Sequence, residues 1–374
     1  MARSRESAFF GHPIGLSTLF FTEMWERASY YGIRALLILF MTAAPAAGGR
    51  GMTPTAAGTV MALYLSSVYL LSLPGGWIAD RFLGQRNATA FGGIGIAAGN
   101  ALLALPIEAG FYPGLVLIAI GTGLLKPNIS TMVGQLYAHD DPRRDGGYTI
   151  YYMGINIGAF LAPLGCGYFA QSAGFRAFLI GHGVDPNWGW HFGFAAASIG
   201  MIIGVIQYLS MQGWLSEASR HPTVPTDPAR AARDRTVLAA IVIGLIAVGA
   251  VFAFAGIDAE TIVNVFGVGL AILAVLLFTG LMRSLSPSER KKMTAVIVLF
   301  LGSIAFFGIF EQASTTLSLF AENFTERRFL GFDFPASYYQ SVNSVFIILL
   351  APLFAAIWVK LGKAGREPTS VVKF

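Results

Sequence analysis

The sequence predicts an all-α, polytopic membrane protein, and three observations carry that prediction. Apolar residues make up 55% of the 374 and charged residues only 12%, whereas a water-facing domain carries roughly 25% charge. The mean hydropathy is +0.63. Ten stretches also reach the length of about 20 mostly apolar residues that a helix needs to cross a hydrocarbon core. The same figures exclude other classes. There is too much Leu, Ile, Val and Phe for disorder, and the 44 glycines follow no three-residue period. The apolar runs are continuous rather than alternating, which argues against a transmembrane barrel. Cys166 is the single cysteine, so neither an internal disulfide nor a cysteine-based metal site is expected.

The stretches lie near 14–42, 55–79, 87–106, 111–134, 147–171, 190–213, 236–256, 261–282, 293–321 and 336–359. The first is too long and too charged for a cleavable signal peptide. Most are rich in Gly and Ala, which lets helices approach closely in lipid; GGIGIAAG at 92–99 reads as such a packing surface, not a phosphate loop. With the N-terminus in the cytoplasm, eighteen Lys and Arg fall in cytoplasmic segments and four (Arg50, Arg176, Arg327, Arg328) in outer loops. That bias fixes a multi-pass orientation in the cytoplasmic (inner) membrane with the N-terminus inside. The net charge of +5 is then a topology signal, not a nucleic-acid footprint.

Residues 1–215 read as a six-helix bundle. The polar run SEASRHPTVPTDPARAARDRT reads as a cytoplasmic linker over 216–235. Residues 236–289 read as a helix hairpin without embedded charge, with Asp258 and Glu260 at its turn, and residues 290–374 as two further helices.

Three cations (Arg27, Arg34, Lys126) and three anions (Glu23, Glu26, Glu311) remain inside the stretches. Each costs at least about 2.5–3.5 kcal/mol at a bilayer centre, so such groups pair or line water. Glu23, Glu26, Arg27, Tyr30 and Arg34 recur at helical spacing and form one polar stripe. Glu23 and Arg27, four residues apart, can pair. A desolvated carboxylate whose cation is drawn away can take a proton, so Glu23 and Glu26 are the proton-switch candidates; the alternative is a salt-bridge knot that only fixes packing. Lys126, before Pro127, is expected to pair with a first-helix glutamate, and Glu311 to reach a first-helix arginine, forming a gate. Tyr69, Asn156 and Asn343 are polar residues inside stretches, read as helix–helix hydrogen bonds or ligand contacts. The five histidines (His12, His139, His182, His191, His221) lack metal-ligand spacing and read as solvated. No metal, cofactor or enzyme motif is present in the sequence.

At these residues the sequence resembles the proton-dependent oligopeptide transporter family of the major facilitator superfamily. Glu23-x-x-Glu26-Arg27 followed by Tyr30-Tyr31-Gly32 is similar to the family's first-helix signature, and GGWIADRFLGQR over 75–86 resembles the superfamily's cytoplasmic loop motif. GTGLLKPNIS around Lys126, YTIYYMGINIGAF around Asn156, FEQAS at Glu311 and YYQSVNSVF at Asn343 resemble its fourth, fifth, seventh and eighth core helices. The resemblance implies proton-coupled import of di- and tripeptides by alternating access. It implies peptide-binding roles for Tyr30, Arg34, Tyr69, Lys126, Asn156 and Asn343, and proton-coupling roles for Glu23, Glu26, Arg27 and Glu311. It implies no cofactor, metal or nucleic acid; the partners are peptides, protons and the lipid bilayer. Family members carry four more helices, so the C-terminal bundle is expected to be incomplete and the chain a truncated form. A non-transporting membrane scaffold whose charges are structural is the alternative.

Overall fold

The computed structural model describes residues 8–222, 228–254, 259–329, 331–366 and 368. The basic residues Arg3, Arg5 and Lys373, the centre of the linker (223–227) and the hairpin turn at Asp258 lie outside the described residues.

Helix α1 is Gly15–Thr42. Pro54–Leu70 (α2) is capped by Thr53, whose side chain accepts from the Ala56 amide, with Pro54 at the first helical position. A turn at Leu71 separates it from α3, Ser72–Ile78. Pro74 causes the break, because it offers no N–H to the Leu70 carbonyl. Then follow α4 (Gln85–Ala104), α5 (Phe111–Gly134), α6 (Arg144–Gln171), a short α7 (Ala173–Gly181) and α8 (Gly189–Met211). The hairpin is α9 (Pro228–Phe254) and α10 (Ala259–Ser284), and the chain continues through α11 (Pro287–Phe310), α12 (Thr316–Phe324) and α13 (Tyr339–Lys363). Long helices thus occupy all ten predicted stretches, and seven segments of the described residues are long and apolar enough to cross a membrane. Helix α1 carries Glu23, Glu26, Arg27 and Arg34 and is the most fully buried of them.

The structure departs from the sequence reading in several places. Helix α9 starts at Pro228, inside the stretch read as linker, because proline suits a first helical position and ARAAR favours helix. The short α7 was not expected; Ser172 caps it by accepting from the Phe175 amide. The ninth stretch is broken: α11 ends at Phe310 and a tight turn covers Glu311–Ser314 before α12. Side chains supply the bonds that this break leaves open. Gln340 Nε2 donates to the Ala313 carbonyl, Ser318 Oγ donates to the same carbonyl at 3.0 Å, and Ser314 Oγ donates to the Glu311 carbonyl at 3.2 Å. A two-residue antiparallel pair, β1 (Arg328–Phe329) with β2 (Phe332–Asp333), closes the loop before α13. The chain is otherwise all-α.

Close glycine contacts set the core of the six-helix set. At the α4–α5 crossing, a methyl on Gly121 would fall 2.5 Å from the Gly92 carbonyl oxygen, and one on Gly92 would fall 2.6 Å from that of Gly121. Gly99 and Gly114 repeat the arrangement further along the pair. The run at 92–99 is indeed a packing surface. Helix α1 is wrapped by α6 and α8. Arg86 ties the end of α8 down: its Nη2 donates to the carbonyls of Leu215 (2.5 Å) and Ser216 (3.0 Å), and its Nε to Ser219 Oγ (3.1 Å). Gly84, at φ 74°, lets the preceding turn pass against the Arg220 carbonyl. His12 and His191 are half-buried rather than solvated, bonded to the Tyr137 hydroxyl and the Leu103 carbonyl respectively. His12 lies in the segment before α1, and His191 in the first turn of α8 beside the end of α4. Burial pushes the Tyr137 hydroxyl up to about 12, so it stays protonated against His12.

Substituting Gly121→Val is expected to cost about 1–3 kcal/mol of overpacking. Gly267→Ala, where nothing lies within 4 Å of the new methyl, should leave stability unchanged. Thermal unfolding of the purified protein in detergent checks both.

Candidate functional site: an embedded charge cluster beside a central cavity

The polar stripe of α1 points inward, as its spacing predicts. Arg27 takes both neighbouring carboxylates: its Nε lies 3.2 Å from Glu23 Oε1 and also pairs with Glu26. All three side chains are almost fully buried. The Arg27 guanidinium also lies 4.9 Å from the ring centre of buried Tyr30. Glu26 Oε1 and Arg27 Nη2 are buried without a partner among the described residues. The cluster is therefore not a saturated network. A half-satisfied buried network is poor as pure packing and easier to rearrange.

Lys126 does not pair with Glu23 or Glu26 directly. Its Nζ sits 4.4 Å from the ring centre of Tyr69, over the face of the ring. Arg27, on the same helix as both glutamates, reaches them first and meets both through its Nε. Lys126 nevertheless lies within electrostatic range of Glu23, Glu26 and Arg27. Pro127 shapes this region too. It frees the Gly123 carbonyl within α5, and α3 packs against that point through Gly75.

One turn further along α1, Arg34 Nη2 lies 2.6 Å from Glu311 Oε2. This ion pair joins α1 to the broken α11–α12 segment, and the break at 311–315 is what turns the Glu311 side chain toward α1. Beside the pair lies a cavity of about 650 Å³. Arg34, Asn156, Asn343 and Gln340 give it polar points, with Tyr31 and Tyr152 among the aromatic ones. The rest of the wall is mostly apolar, including Ile309, Phe310, Leu317 and Ile347. Asn156 also donates to the Tyr152 carbonyl at 3.1 Å. The ten predicted residues thus fall into four groups. Glu23, Glu26, Arg27 and Tyr30 form the buried cluster, Arg34 and Glu311 the bridge, Asn156 and Asn343 part of the cavity wall, and Lys126 with Tyr69 a separate contact.

Sequence reasoning missed Tyr31, Tyr152 and Gln340 on the cavity wall, and Tyr151 beside Glu23. Helical spacing held the signal. Tyr152 precedes Asn156 by one turn, and Gln340 precedes Asn343 by one. Among the described residues no group of three or more His, Cys, Asp or Glu is arranged to hold a metal.

Residues 86–374 match the model of the POT family. The chain belongs to the POT family. It is 39% identical over 384 residues to the di-/tripeptide transporter of Lactococcus lactis subsp. cremoris, covering 99% of this chain and 73% of that protein. It is 38% identical over 380 residues to the peptide transporter YePEPT of Yersinia enterocolitica, covering 98% of this chain and 71% of that protein. Among solved structures, a POT family transporter in complex with 5-aminolevulinic acid superposes with a TM-score of 0.86 at 35% identity, over 98% of this chain and 74% of that one. The family accounts for the fold: a membrane transporter of the major facilitator type.

Removing Arg27 would leave two carboxylates buried without their cation. Arg27→Met should cost about 3–5 kcal/mol. Adding Glu23→Gln and Glu26→Gln should recover much of that loss. Thermal unfolding of the single and triple variants measures the difference.

Proposed function

We propose that the protein imports di- and tripeptides together with protons, by alternating access, across the cytoplasmic membrane with its N-terminus inside. The observation that carries this reading is the Arg34–Glu311 ion pair on the wall of the central cavity. A zwitterionic peptide needs a cation for its carboxylate, and Arg34 is the cation that lines the cavity. A peptide carboxylate that binds Arg34 competes with Glu311 for the same guanidinium. Glu311, released from its partner, is then the carboxylate that takes the coupled proton. Peptide binding and proton binding thereby reinforce each other, and the bridge between α1 and the α11–α12 break opens in the same step.

The remaining residues take roles consistent with this. Asn156 and Asn343 offer amides to the peptide backbone, with Tyr30 positioned behind Arg34 and Tyr69 holding Lys126. Lys126 adds positive potential that favours the peptide carboxylate. Glu23, Glu26 and Arg27 form the second proton-responsive group, since changing the charge of either carboxylate redirects Arg27. The apolar wall accepts varied side chains through dispersion contacts, which suits a broad peptide range. The orientation rests on the Lys and Arg bias of the loops. The proposed division is a six-helix bundle (1–215), a linker (216–235), an added hairpin (236–289) and the opening helices of the second bundle (290–374). Packing supports it: α10 lies against α2, while α12 and α13 meet α1 and α6 across the cavity.

Uptake of labelled dialanine into proteoliposomes tests the reading. Accumulation should rise with an inward proton gradient and vanish with a protonophore; absence of peptide uptake or binding under both conditions rejects transport and favours a scaffold. Lys126→Ala should weaken peptide affinity by about 10-fold or more, the loss expected for a charged partner. Glu311→Gln should retain peptide exchange while losing proton-driven accumulation.

A further inference from the structure

We propose that Gln171 is the latch of the outer gate, a side chain that ties α6 to both segments flanking the β1–β2 loop beside the cavity. Gln171 is the last residue of α6. Its Nε2 donates to Glu322 Oε2 at 3.2 Å, near the end of α12. Its Oε1 accepts from the backbone N–H of Ser337 at 3.2 Å, in the turn that leads into α13. One amide therefore bridges α6 to both segments that flank the β1–β2 loop. Arg327 Nη1 donates to the same Glu322 oxygen at 2.9 Å and holds that carboxylate in position. The bridge needs a group that donates and accepts at once. A carboxylate, an ammonium or an alkyl chain meets one of those demands or neither.

The surface below the latch is built to come apart. One turn before Gln171, Gly167 leaves the room that the Ser337 hydroxymethyl occupies, and a methyl there would overlap its Oγ. Ser341 Oγ donates to the Phe160 carbonyl at 2.7 Å. Ser337 and Ser341 are buried where the α13 segment faces α6, and Ser318 and Ser344 are buried beside the cavity, in contrast to the Leu, Ile and Met that fill the six-helix core. Separating hydroxyl and amide contacts lets water replace each bond, whereas separating apolar contacts exposes hydrophobic surface. A contact that opens on every cycle is better made of the former.

The latch also stands between two spaces. The central cavity lies on one side of it. On the other is a pocket of about 430 Å³ lined by Gln171, Arg327, Asp333 and Phe334. Thr325 belongs to the walls of both. Parting Gln171 from Glu322 and Ser337 joins them into one path. This inference rests on the transport reading, since a gate presupposes alternating access, but its test needs no peptide.

The experiment uses a Cys166→Ala background with Ser344→Cys as a reporter on the cavity wall, expressed in intact cells and labelled from outside with a membrane-impermeant maleimide. Gln171→Leu should raise the labelling rate at least 5-fold. Gln171→Glu sets a carboxylate against Glu322, with Arg327 between them and Glu326, Arg328 and Asp333 around the pocket. Relative to the Gln171 protein at the same pH, which cancels the loss of thiolate on acidification, it should label at least 5-fold faster at pH 8 and at about the same rate at pH 5.5, where the protonated acid donates as the amide did. The Gln171 protein should label slowly at both. Should Gln171→Leu fail to fold, the pH pair on Gln171→Glu decides alone. Equal rates across the variants, or a Gln171→Glu rate relative to the Gln171 protein that ignores pH, overturn the latch. Failed dialanine uptake with a normal labelling pattern counts against transport and leaves the latch standing.

Discussion

The cost of holding ionised side chains away from water is the constraint on which this structure depends. Helix α1 carries four such groups in three turns, and no surface of it can face lipid where they lie. The fold answers by surrounding α1 with α6 and α8, giving Arg27 two carboxylates, and sending Arg34 across to Glu311. The same charges that force α1 to the centre place it beside the cavity, so architecture and site have one cause.

The pairing also explains why the two helical sets meet where they do. A buried ion pair contributes little net stability over a well-packed apolar contact, yet losing one partner is expensive. Such a pair is a poor glue and a good switch. Arg34 and Glu311 have this character, and the break that separates α11 from α12 gives Glu311 local freedom that a continuous helix would deny. Serines and Gln340 satisfy the carbonyls that the break leaves open, so the irregular backbone is supported next to the cavity.

Much of this was legible in the sequence, for physical reasons. Span length follows from bilayer thickness, so the ten apolar stretches marked ten helices. The embedded charges stood out because they are costly, and their helical spacing put them on one stripe. That Glu311 would reach a first-helix arginine was legible from the embedded charges; that the arginine is Arg34 was not. What was not legible was which cation takes which anion. Lys126 looked like the partner of a first-helix glutamate, but Arg27 reaches both glutamates within its own helix and leaves Lys126 to the Tyr69 ring. The break at 311–315 was hidden because its short polar run, EQAST, is flanked by apolar residues on both sides and so read as polar content within one span. Gln171 looked like an ordinary helix end, since its two partners lie more than 150 residues away and nothing local marks them.

In the proposed cycle a peptide carboxylate displaces Glu311 from Arg34, and Glu311 then takes a proton. Calorimetric titration of dialanine into the detergent-solubilised protein, repeated at one pH in buffers of different ionisation enthalpy, counts the protons bound with each peptide. The account predicts net proton uptake in the native protein and its loss in Glu311→Gln. Binding without proton uptake, or uptake unchanged by that substitution, would contradict it.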